Sequence, residues 1–202
     1  MKTAVFTTAR LTVRPARPTT EDSAFLYRLW TTAAVMRPVG FPEGLRTTPE
    51  EILLAVQGYR NPPFDIPLLV ELAATERLIG QCKLGTPDSE GVAGTDVKLL
   101  PEFWGQGFGS ELKRALVSYL FSHTDCLAVQ ATPNRDNIAS QRMQEAAGGR
   151  RVGEGVHRFP EHMREYTTDV AFYVYHIRRQ EWEKEGEDLA SCCVHTTAWN
   201  RH

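Results

Sequence analysis

A glycine-rich turn between a strand and a helix is the feature that most restricts how this chain can fold. Residues 94–100 have the pattern of a strand, and the turn that follows contains Gly105, Gly107 and Gly109. Apolar residues then recur at helical spacing over residues 108–120. The first turn of a helix has unpaired backbone N–H groups and the positive end of the helix dipole, and glycine leaves them open to a ligand. The sequence therefore predicts a phosphate or pyrophosphate site here.

The composition is that of one globular domain with a short tail. The chain has 202 residues, of which 42% are hydrophobic, and this suits a single full core. We predict one domain over residues 1–178 and a charged, then polar tail over residues 179–202. A net charge of −2 argues against a nucleic-acid partner, and the lack of a long apolar run argues against a membrane partner. We therefore expect a cytoplasmic protein.

The four cysteines give no metal-binding pattern. Cys82 and Cys126 each lie in an apolar, strand-like stretch and are expected to be buried thiols. Cys192 and Cys193 are adjacent and have His195 close behind, but they lack the spacing of a zinc site. We expect no bound metal.

The order of the predicted elements favours a mixed sheet. Short turns join the strands of the first half, which makes them antiparallel neighbours, and one helix in the middle forms a strand–helix–strand crossover. We predict an α/β (α+β) domain with a mixed, mostly antiparallel sheet of about seven strands and about four helices. The predicted strands are residues 9–15, 67–73, 78–84, 94–100, 126–132, 151–157 and 168–177.

Common nucleotide-binding motifs fit the glycine turn poorly. A P-loop requires Gly-Lys-Ser/Thr, whereas residues 107–111 read Gly-Phe-Gly-Ser-Glu. A dinucleotide fingerprint needs a third glycine where this chain has Ser110. A turn without a ligand is another alternative, but three glycines flanked by Trp104 and Phe108 exceed what a turn requires.

The turn and its surroundings resemble the GCN5-related N-acetyltransferases (GNAT), and most closely the branch of the ribosomal-protein-alanine N-acetyltransferases. The acetyl-CoA loop of the family reads Gln/Arg-x-x-Gly-x-Gly/Ala, and Trp104–Gly109 fits it except at the first position. A second block, Asn137–Ser140 followed by Gly148-Gly149, is similar to a helix of that branch that ends in Gly-Phe. Residues 9–15 resemble its first strand, so the resemblance covers about residues 9–178.

The resemblance implies acetyl-CoA as cosubstrate. In the family, strands 4 and 5 splay apart, so that backbone groups of strand 4 are free for the pantetheine arm, while the glycine turn binds the pyrophosphate. The coenzyme-binding residues implied in this chain are Val97, Lys98, Leu99, Trp104, Gly105, Gln106, Gly107, Phe108, Gly109, Ser110, Asn137 and Ser140. The candidates for the 3′-phosphate are Lys113, Arg114, Arg135 and Arg142.

Two catalytic residues are also implied by the resemblance. The branch has a carboxylate near the position of Glu161, which would deprotonate the acceptor amine, and His162 and Glu165 are rivals for this role. Ser140 would protonate the leaving sulfur or hold the thioester, although a serine near a helix start also satisfies local backbone groups. Many relatives have a tyrosine acid where this chain has Gln144, and this favours Ser140 or water as the acid.

These features together predict direct transfer of acetyl to a primary amine, either a protein N-terminus or a small molecule, in a ternary complex. One alternative is an acyl-CoA-binding regulatory domain without catalysis. Another is an aminoglycoside or polyamine acetyltransferase, which a strongly acidic acceptor pocket would favour. A homodimer is common in the family and is left open here. By resemblance, the acceptor side contains Trp30, Met36, Phe41 and Tyr59, although such aromatic residues are often core.

Overall fold

A computed structural model describes residues 4–60 and 62–184, which form one sheet with helices on both faces. The strands are β1 (Phe6–Thr7), β2 (Leu11–Pro15), β3 (Leu68–Leu72), β4 (Leu78–Leu84), β5 (Val92–Leu99), β6 (Ala128–Ala131), β7 (Arg150–His157) and β8 (Val170–Arg178). The α-helices are α1 (Thr20–Thr31), α2 (Ala33–Met36), α3 (Pro49–Gln57), α4 (Phe108–His123) and α5 (Ile138–Ala146).

The strand order is β1-β2-β3-β4-β5-β6-β8-β7. Every neighbouring pair of strands is antiparallel except β5 and β6. These two strands are parallel, and the crossover between them contains α4. This confirms the predicted α/β domain with a mixed, mostly antiparallel sheet. The described residues contain eight strands rather than about seven, because the sequence analysis missed the two-residue β1, which is too short to have a recognisable period.

The two faces of the sheet carry different helices. Thr95 pairs with Leu84 of β4, and paired residues of neighbouring strands point to the same face. Gln81 is three residues from Leu84 along β4, so Gln81 and Thr95 point to opposite faces of the sheet. Gln81 accepts a hydrogen bond from Trp30 of α1, and Thr95 accepts one from Lys113 of α4. We call the face covered by α1 the acceptor face and the face covered by α4 the coenzyme face.

A buried ion cluster joins β2, α1 and β3. The Arg14 guanidinium donates to Asp22 at 2.6 and 2.8 Å and to Glu71 at 2.8 Å, and all three side chains are at most 3% exposed. Burial opposes ionisation of Asp22, but hydrogen bonds from Arg14 and Arg17 outweigh it, so that the pKa of Asp22 is lowered. Such a cluster is tolerated in a core only when every charge has partners.

Residues 179–184 continue from β8 as a helical segment that packs on the domain. The Arg179 side chain donates to the carbonyl oxygens of Phe121, Thr124 and Cys126 at 2.7 to 2.8 Å, and Trp182 contacts Phe121. These residues therefore contact the domain, and the predicted boundary at residue 178 stays a prediction. Cys192, Cys193 and His195, for which the sequence predicts no metal site, lie outside the described residues.

Candidate active site

The glycine turn leaves the start of α4 open. Gly105 and Gly107 have φ of 72° and 80°, the left-handed region that favours glycine, and Gly107 is the N-cap residue of α4. The first helical hydrogen bond is from the Glu111 N–H to the Gly107 carbonyl at 3.1 Å. The N–H groups of residues 108–110 precede this bond, and no side chain caps them.

The other helices of comparable length begin with a side-chain cap. Thr19 caps α1, Thr48 and Glu51 form a capping box on α3, and Asn137 caps α5. Among the helices of nine residues or more in the described part of the chain, α4 is the one without such a cap. Its exposed N–H groups and positive dipole end therefore fit a diphosphate.

Arg10, which the sequence analysis did not single out, holds the turn in place. Its guanidinium donates to Glu111 at 2.6 Å and to the Gln106 carbonyl at 3.0 Å, and it stacks over the Phe108 ring at 4.4 Å. Partial burial opposes ionisation of Glu111, but hydrogen bonds from Thr8 and Arg10 lower its pKa overall. The Phe108 side chain itself is buried, so that only its backbone can contact a ligand.

A fork opens between β5 and β6 next to this turn. The two strands pair only from Val92 with Ala128 to Gly94 with Gln130. Beyond Gly94, β5 continues to pair with β4 but has no partner on the β6 side. This is the predicted splay of the fourth and fifth predicted strands, and the additional β1 makes them β5 and β6.

The hydrogen-bonding alternation of β5 decides which backbone groups face the fork. Hydrogen bonds from Leu100 N–H to the Ile79 carbonyl and from Gly85 N–H to the Gly94 carbonyl fix the ladder with β4. In this register the backbone of Lys98 is bonded to β4, whereas those of Val97 and Leu99 point into the fork. The geometry therefore brings the backbone groups of Val97 and Leu99 into the fork, but not those of Lys98, whose side chain pairs with Asp96.

Trp104 lies at the open end of the fork. Its indole N–H donates to the Leu99 carbonyl at 2.8 Å, which is one of the groups that face the fork, and its side chain remains about half exposed. Gln106 is exposed, and its side-chain amide donates to the Glu102 carbonyl at 2.8 Å. The structure thus gathers the residues of the glycine turn at the mouth of the fork.

On α5, the predicted residues lie in the first turn of the helix. Asn137 accepts a hydrogen bond from the Ser140 N–H at 3.0 Å, so its side-chain oxygen serves as a helix cap. Ser140 is half-buried, and its hydroxyl has no hydrogen-bond partner among the described residues. Gln144 is 4% exposed, and its side-chain carbonyl has no partner either.

The four basic candidates for the 3′-phosphate have different surroundings. The interpretation of Lys113 was wrong, because its side chain is 1% exposed and contacts Thr95 inside the domain. Arg114 donates to the Ala146 carbonyl at 2.6 Å, and Arg135 pairs with Glu154 at 2.7 Å. Arg142 is exposed and remains the least engaged of the four.

The candidate base Glu161 lies in the segment between β7 and β8, within a short 3₁₀ turn. Its carboxylate is 84% exposed and pairs with Arg164 at 2.9 Å. The same segment meets the loop after α2, because Phe41 contacts Phe159 and the Thr168 N–H donates to the Gly40 carbonyl at 2.9 Å. These two segments border the acceptor face.

A cavity of about 530 Å³ lies between these two segments. Its charged lining residues balance, since Glu43 and Glu165 stand against Arg46 and Arg164. Of the four residues that the sequence placed on the acceptor side, Met36 is core, Trp30 and Tyr59 are half-buried against the core, and Phe41 packs on Phe159.

His176 on β8 is a second candidate base that the sequence analysis missed. It pairs in register with Gln130, and its Nε2 lies 3.0 Å from the Gln130 side-chain oxygen. With that bond, Nε2 carries the proton and Nδ1 is left as an acceptor. Burial and the charge of Arg178 lower the pKa of His176, against an opposing effect of Asp88, so that the neutral ring is favoured.

The profile of the family described as "Acetyltransferase (GNAT) domain" matches residues 10–150, which contain the turn, the fork and α5. The chain belongs to the GNAT acetyltransferase family. It is therefore an N-acetyltransferase with acetyl-CoA as cosubstrate, and the uncapped α4 and the unpaired edge of β5 fit that group. No curated protein matches the sequence.

Solved GNAT structures share this fold. A spermidine N-acetyltransferase from Vibrio cholerae in complex with CoA and spermine is 18% identical, with a TM-score of 0.71 over 87% of this chain and 99% of that one. An aminoglycoside acetyltransferase in complex with coenzyme A is 22% identical, with a TM-score of 0.63 over 86% and 98%. A putative ribosomal-protein-serine acetyltransferase from Vibrio cholerae is 18% identical, with a TM-score of 0.67 over 87% and 99%. Identities this low establish the fold, and the predicted ribosomal-protein-alanine branch stays a prediction.

The described residues contain neither a membrane-spanning helix nor a metal-binding cluster. No helix within residues 4–60 and 62–184 has the length and apolar character needed to cross a bilayer. No group of three or more His, Cys, Asp or Glu side chains in the same ranges is arranged to hold a metal ion.

Proposed function

We propose that the chain transfers acetyl directly from acetyl-CoA to a primary amine, either a protein N-terminus or a small-molecule amine, in a ternary complex. The observation that carries this proposal is the fork, which opens beside the uncapped start of α4. A backbone N–H of Val97 or Leu99 in the fork is suited to stabilise the oxyanion of the thioester carbonyl, an effect worth about 3 kcal/mol.

Direct attack of the amine on the thioester is also supported by the burial of Cys82 and Cys126. Cys82 and Cys126 are both 0% exposed, and burial raises the pKa of the Cys82 thiol. A fully buried thiol is not accessible to a bound thioester, so neither residue suits an acyl-enzyme intermediate.

We take the cavity between the loop after α2 and the segment before β8 as the proposed acceptor site, and its charge then bears on the competing acceptor classes. A polyamine or aminoglycoside carries several positive charges, and an excess of carboxylates would favour its binding. The cavity has two carboxylates and two guanidinium groups, so it offers no such excess. An acceptor with a single amine fits this balance better than a polycation.

The base is the second element of the proposal. Glu161 remains our first candidate, since it lies in the segment that borders the acceptor face, and its rivals are His162, Glu165 and His176. Ser140 is the candidate that the family resemblance gives for holding the thioester. Its hydroxyl has no hydrogen-bond partner among the described residues, so it is available for a ligand.

The test is a panel of peptides with free N-termini, monoamines, polyamines and aminoglycosides, scored by release of the coenzyme A thiol. Calorimetry with acetyl-CoA separates binding from turnover. Heat of binding without thiol release from any amine would favour the regulatory domain, and the absence of heat would refute coenzyme binding.

The same assay assigns the base. Glu161→Gln is expected to lower kcat by ~10²-fold while acetyl-CoA affinity is retained, because a general base contributes at least this much. Glu90→Gln, in the exposed turn before β5, is the matched control. An unchanged rate for Glu161→Gln together with a loss for His176→Gln would move the role to His176.

A further inference from the structure

The closed end of the fork contains a buried lysine that coenzyme binding alone does not explain. Lys113 Nζ donates to the Thr95 hydroxyl at 2.6 Å, and that hydroxyl donates to the Gln130 carbonyl at 3.2 Å. Gln130 is the last residue of β6 that pairs with β5, and Thr95 is the first residue of β5 beyond that pairing. The lysine amine therefore lies where the two strands part.

Burial controls the ionisation of this amine. Burial lowers the pKa of Lys113 to about 7, and the Asp96 carboxylate on β5 opposes that shift. Asp96 itself pairs with Lys98, and it also raises the pKa of the buried Cys82 thiol on β4. Lys113 thus has a proton that it can release near neutral pH.

The fork also fixes the direction in which the coenzyme enters, and this step rests on the proposed function. A diphosphate at the start of α4 lies at the open end, and the pantetheine arm then follows Val97 and Leu99 inward. Thr95 lies ~13 Å along β5 from Leu99 at about 3.3 Å per residue. A pantetheine arm that entered the fork in this direction would bring its sulfur towards Thr95 and Lys113.

The leaving sulfur needs a proton donor that α5 does not supply. Gln144 stands where many relatives have a tyrosine acid, and a carboxamide does not release a proton at neutral pH. The Ser140 hydroxyl is a far weaker acid than an ammonium group. The Lys113 ammonium, which bonds to Thr95 where the strands part, is a stronger acid than either of these side chains.

We propose that the Lys113 ammonium protonates the coenzyme A sulfur as the thioester breaks, either directly or through the Thr95 hydroxyl. The carbon–sulfur bond of the tetrahedral adduct breaks, and its electron pair goes to sulfur. Sulfur then takes one proton from Nζ, or takes the Thr95 proton while Thr95 takes one from Nζ. The products are the amide, the coenzyme A thiol and a neutral Lys113, which regains its proton from solvent.

The first test needs no acceptor amine. Calorimetry first establishes that free coenzyme A binds to the wild type, to Lys113→Met and to the control Lys83→Met, whose lysine is half-exposed and paired with Asp65. The ultraviolet absorbance of the bound thiolate is then followed from pH 6 to pH 10.

The Lys113 amine and the bound thiol titrate as a coupled pair, in which the amine takes the thiol proton and the resulting ammonium stabilises the thiolate. The wild type and the control are therefore expected to form the thiolate ~1 pH unit or more below Lys113→Met. Coincident titrations of wild type and Lys113→Met would overturn the proposal. A lack of coenzyme binding in the wild type would instead refute the proposed function. Lys113→Leu replaces the methionine variant if that variant does not fold.

The second test uses any amine that the panel identifies. A required ammonium predicts that wild-type kcat is limited on its alkaline side by a group with an apparent pKa near that of Lys113. In Lys113→Met, the alkaline limb of the pH profile of kcat is expected to disappear, and kcat at pH 7 is expected to fall ~10²-fold. Acetyl-CoA affinity should change little. An unchanged profile in Lys113→Met would overturn the proposal, because a merely structural role would leave the pH dependence intact.

Discussion

Replacing Lys113 by methionine should change how the stability of the domain depends on pH. The pKa of Lys113 falls from 10.5 to about 7 on folding because the amine is buried. The unfolded chain therefore binds more protons than the folded one between these values, and stability rises with pH across this interval. At 1.36 kcal/mol per pKa unit, the lysine destabilises the fold by about 5 kcal/mol below pH 7 and not at all above pH 10.5.

Lys113→Met removes this dependence. Methionine is apolar and of similar length, and Thr95 keeps its bond to the Gln130 carbonyl. The free energy of unfolding of Lys113→Met minus that of the wild type is expected to be about 4 kcal/mol larger at pH 7 than at pH 10. Urea denaturation followed by tryptophan fluorescence at a series of pH values measures this double difference, in which groups common to both proteins cancel.

Lys83→Met is the control, because the side chain of Lys83 is 45% exposed. Its gain over the wild type should be small and flat across the same pH range. Parallel stability curves for the wild type and Lys113→Met would refute the reasoning, since they would mean that the folded state keeps the Lys113 amine solvated. The same result would remove the physical basis for a proton donor in the fork.

Other substitutions test the turn, the α5 cap and the ion cluster. Gly107→Ala should cost about 1–2 kcal/mol through its φ of 80° and weaken acetyl-CoA binding in calorimetry. Gly105 has a similar φ, but a methyl group there would have no atom within 4 Å. A greater loss of acetyl-CoA affinity in Gly105→Ala than in Gly107→Ala would therefore contradict the assignment of the coenzyme site to the start of α4. Asn137→Ala should lose about 1 kcal/mol of stability with the cap, whereas Asn137→Ser keeps a cap and lacks the amide. Equal acetyl-CoA affinity of the serine variant and the wild type would exclude that amide as a ligand. Asp22→Ala leaves Arg14 partly unpaired in the core and should cost about 3–5 kcal/mol in urea denaturation; a loss below about 1 kcal/mol would contradict this.

The fold was largely predictable because its signals are local. The strand at Leu78–Leu84 has the predicted bounds, and the sequence Thr48-Pro49-Glu50-Glu51 at the start of α3 has the pattern of the capping box that the structure shows. Both depend on periodicity and on short-range capping chemistry, which a single sequence contains. The splay between β5 and β6 came from the family resemblance, since nothing in the residues 92–94 and 128–130 marks where strand pairing stops.

The site was predictable where it depends on backbone and unpredictable where it depends on distant side chains. The glycine turn was read from its sequence, but the bond of Arg10 to Glu111 joins residues 101 positions apart. The sequence analysis took Lys113 as a candidate for the 3′-phosphate, which requires an accessible amine, because lysine is usually exposed. The helical period gave a signal that was not used, since Lys113 lies one residue after Leu112 and four before Val117, both of which are buried.

The two properties of Lys113, its destabilising burial and its position at the fork, have one physical origin. A parallel pair that stops at Gly94 and Gln130 leaves polar backbone groups inside the domain, and Thr95 and Lys113 provide hydrogen bonds at that point. An apolar residue at position 113 would stabilise the core but would give the fork no proton donor. A penalty of about 5 kcal/mol is large against the 5–15 kcal/mol that typically separates folded from unfolded domains. Breaking a core rule at so large an expense is expected at functional sites, and this is why Lys113, rather than an exposed carboxylate, is the first side chain to test.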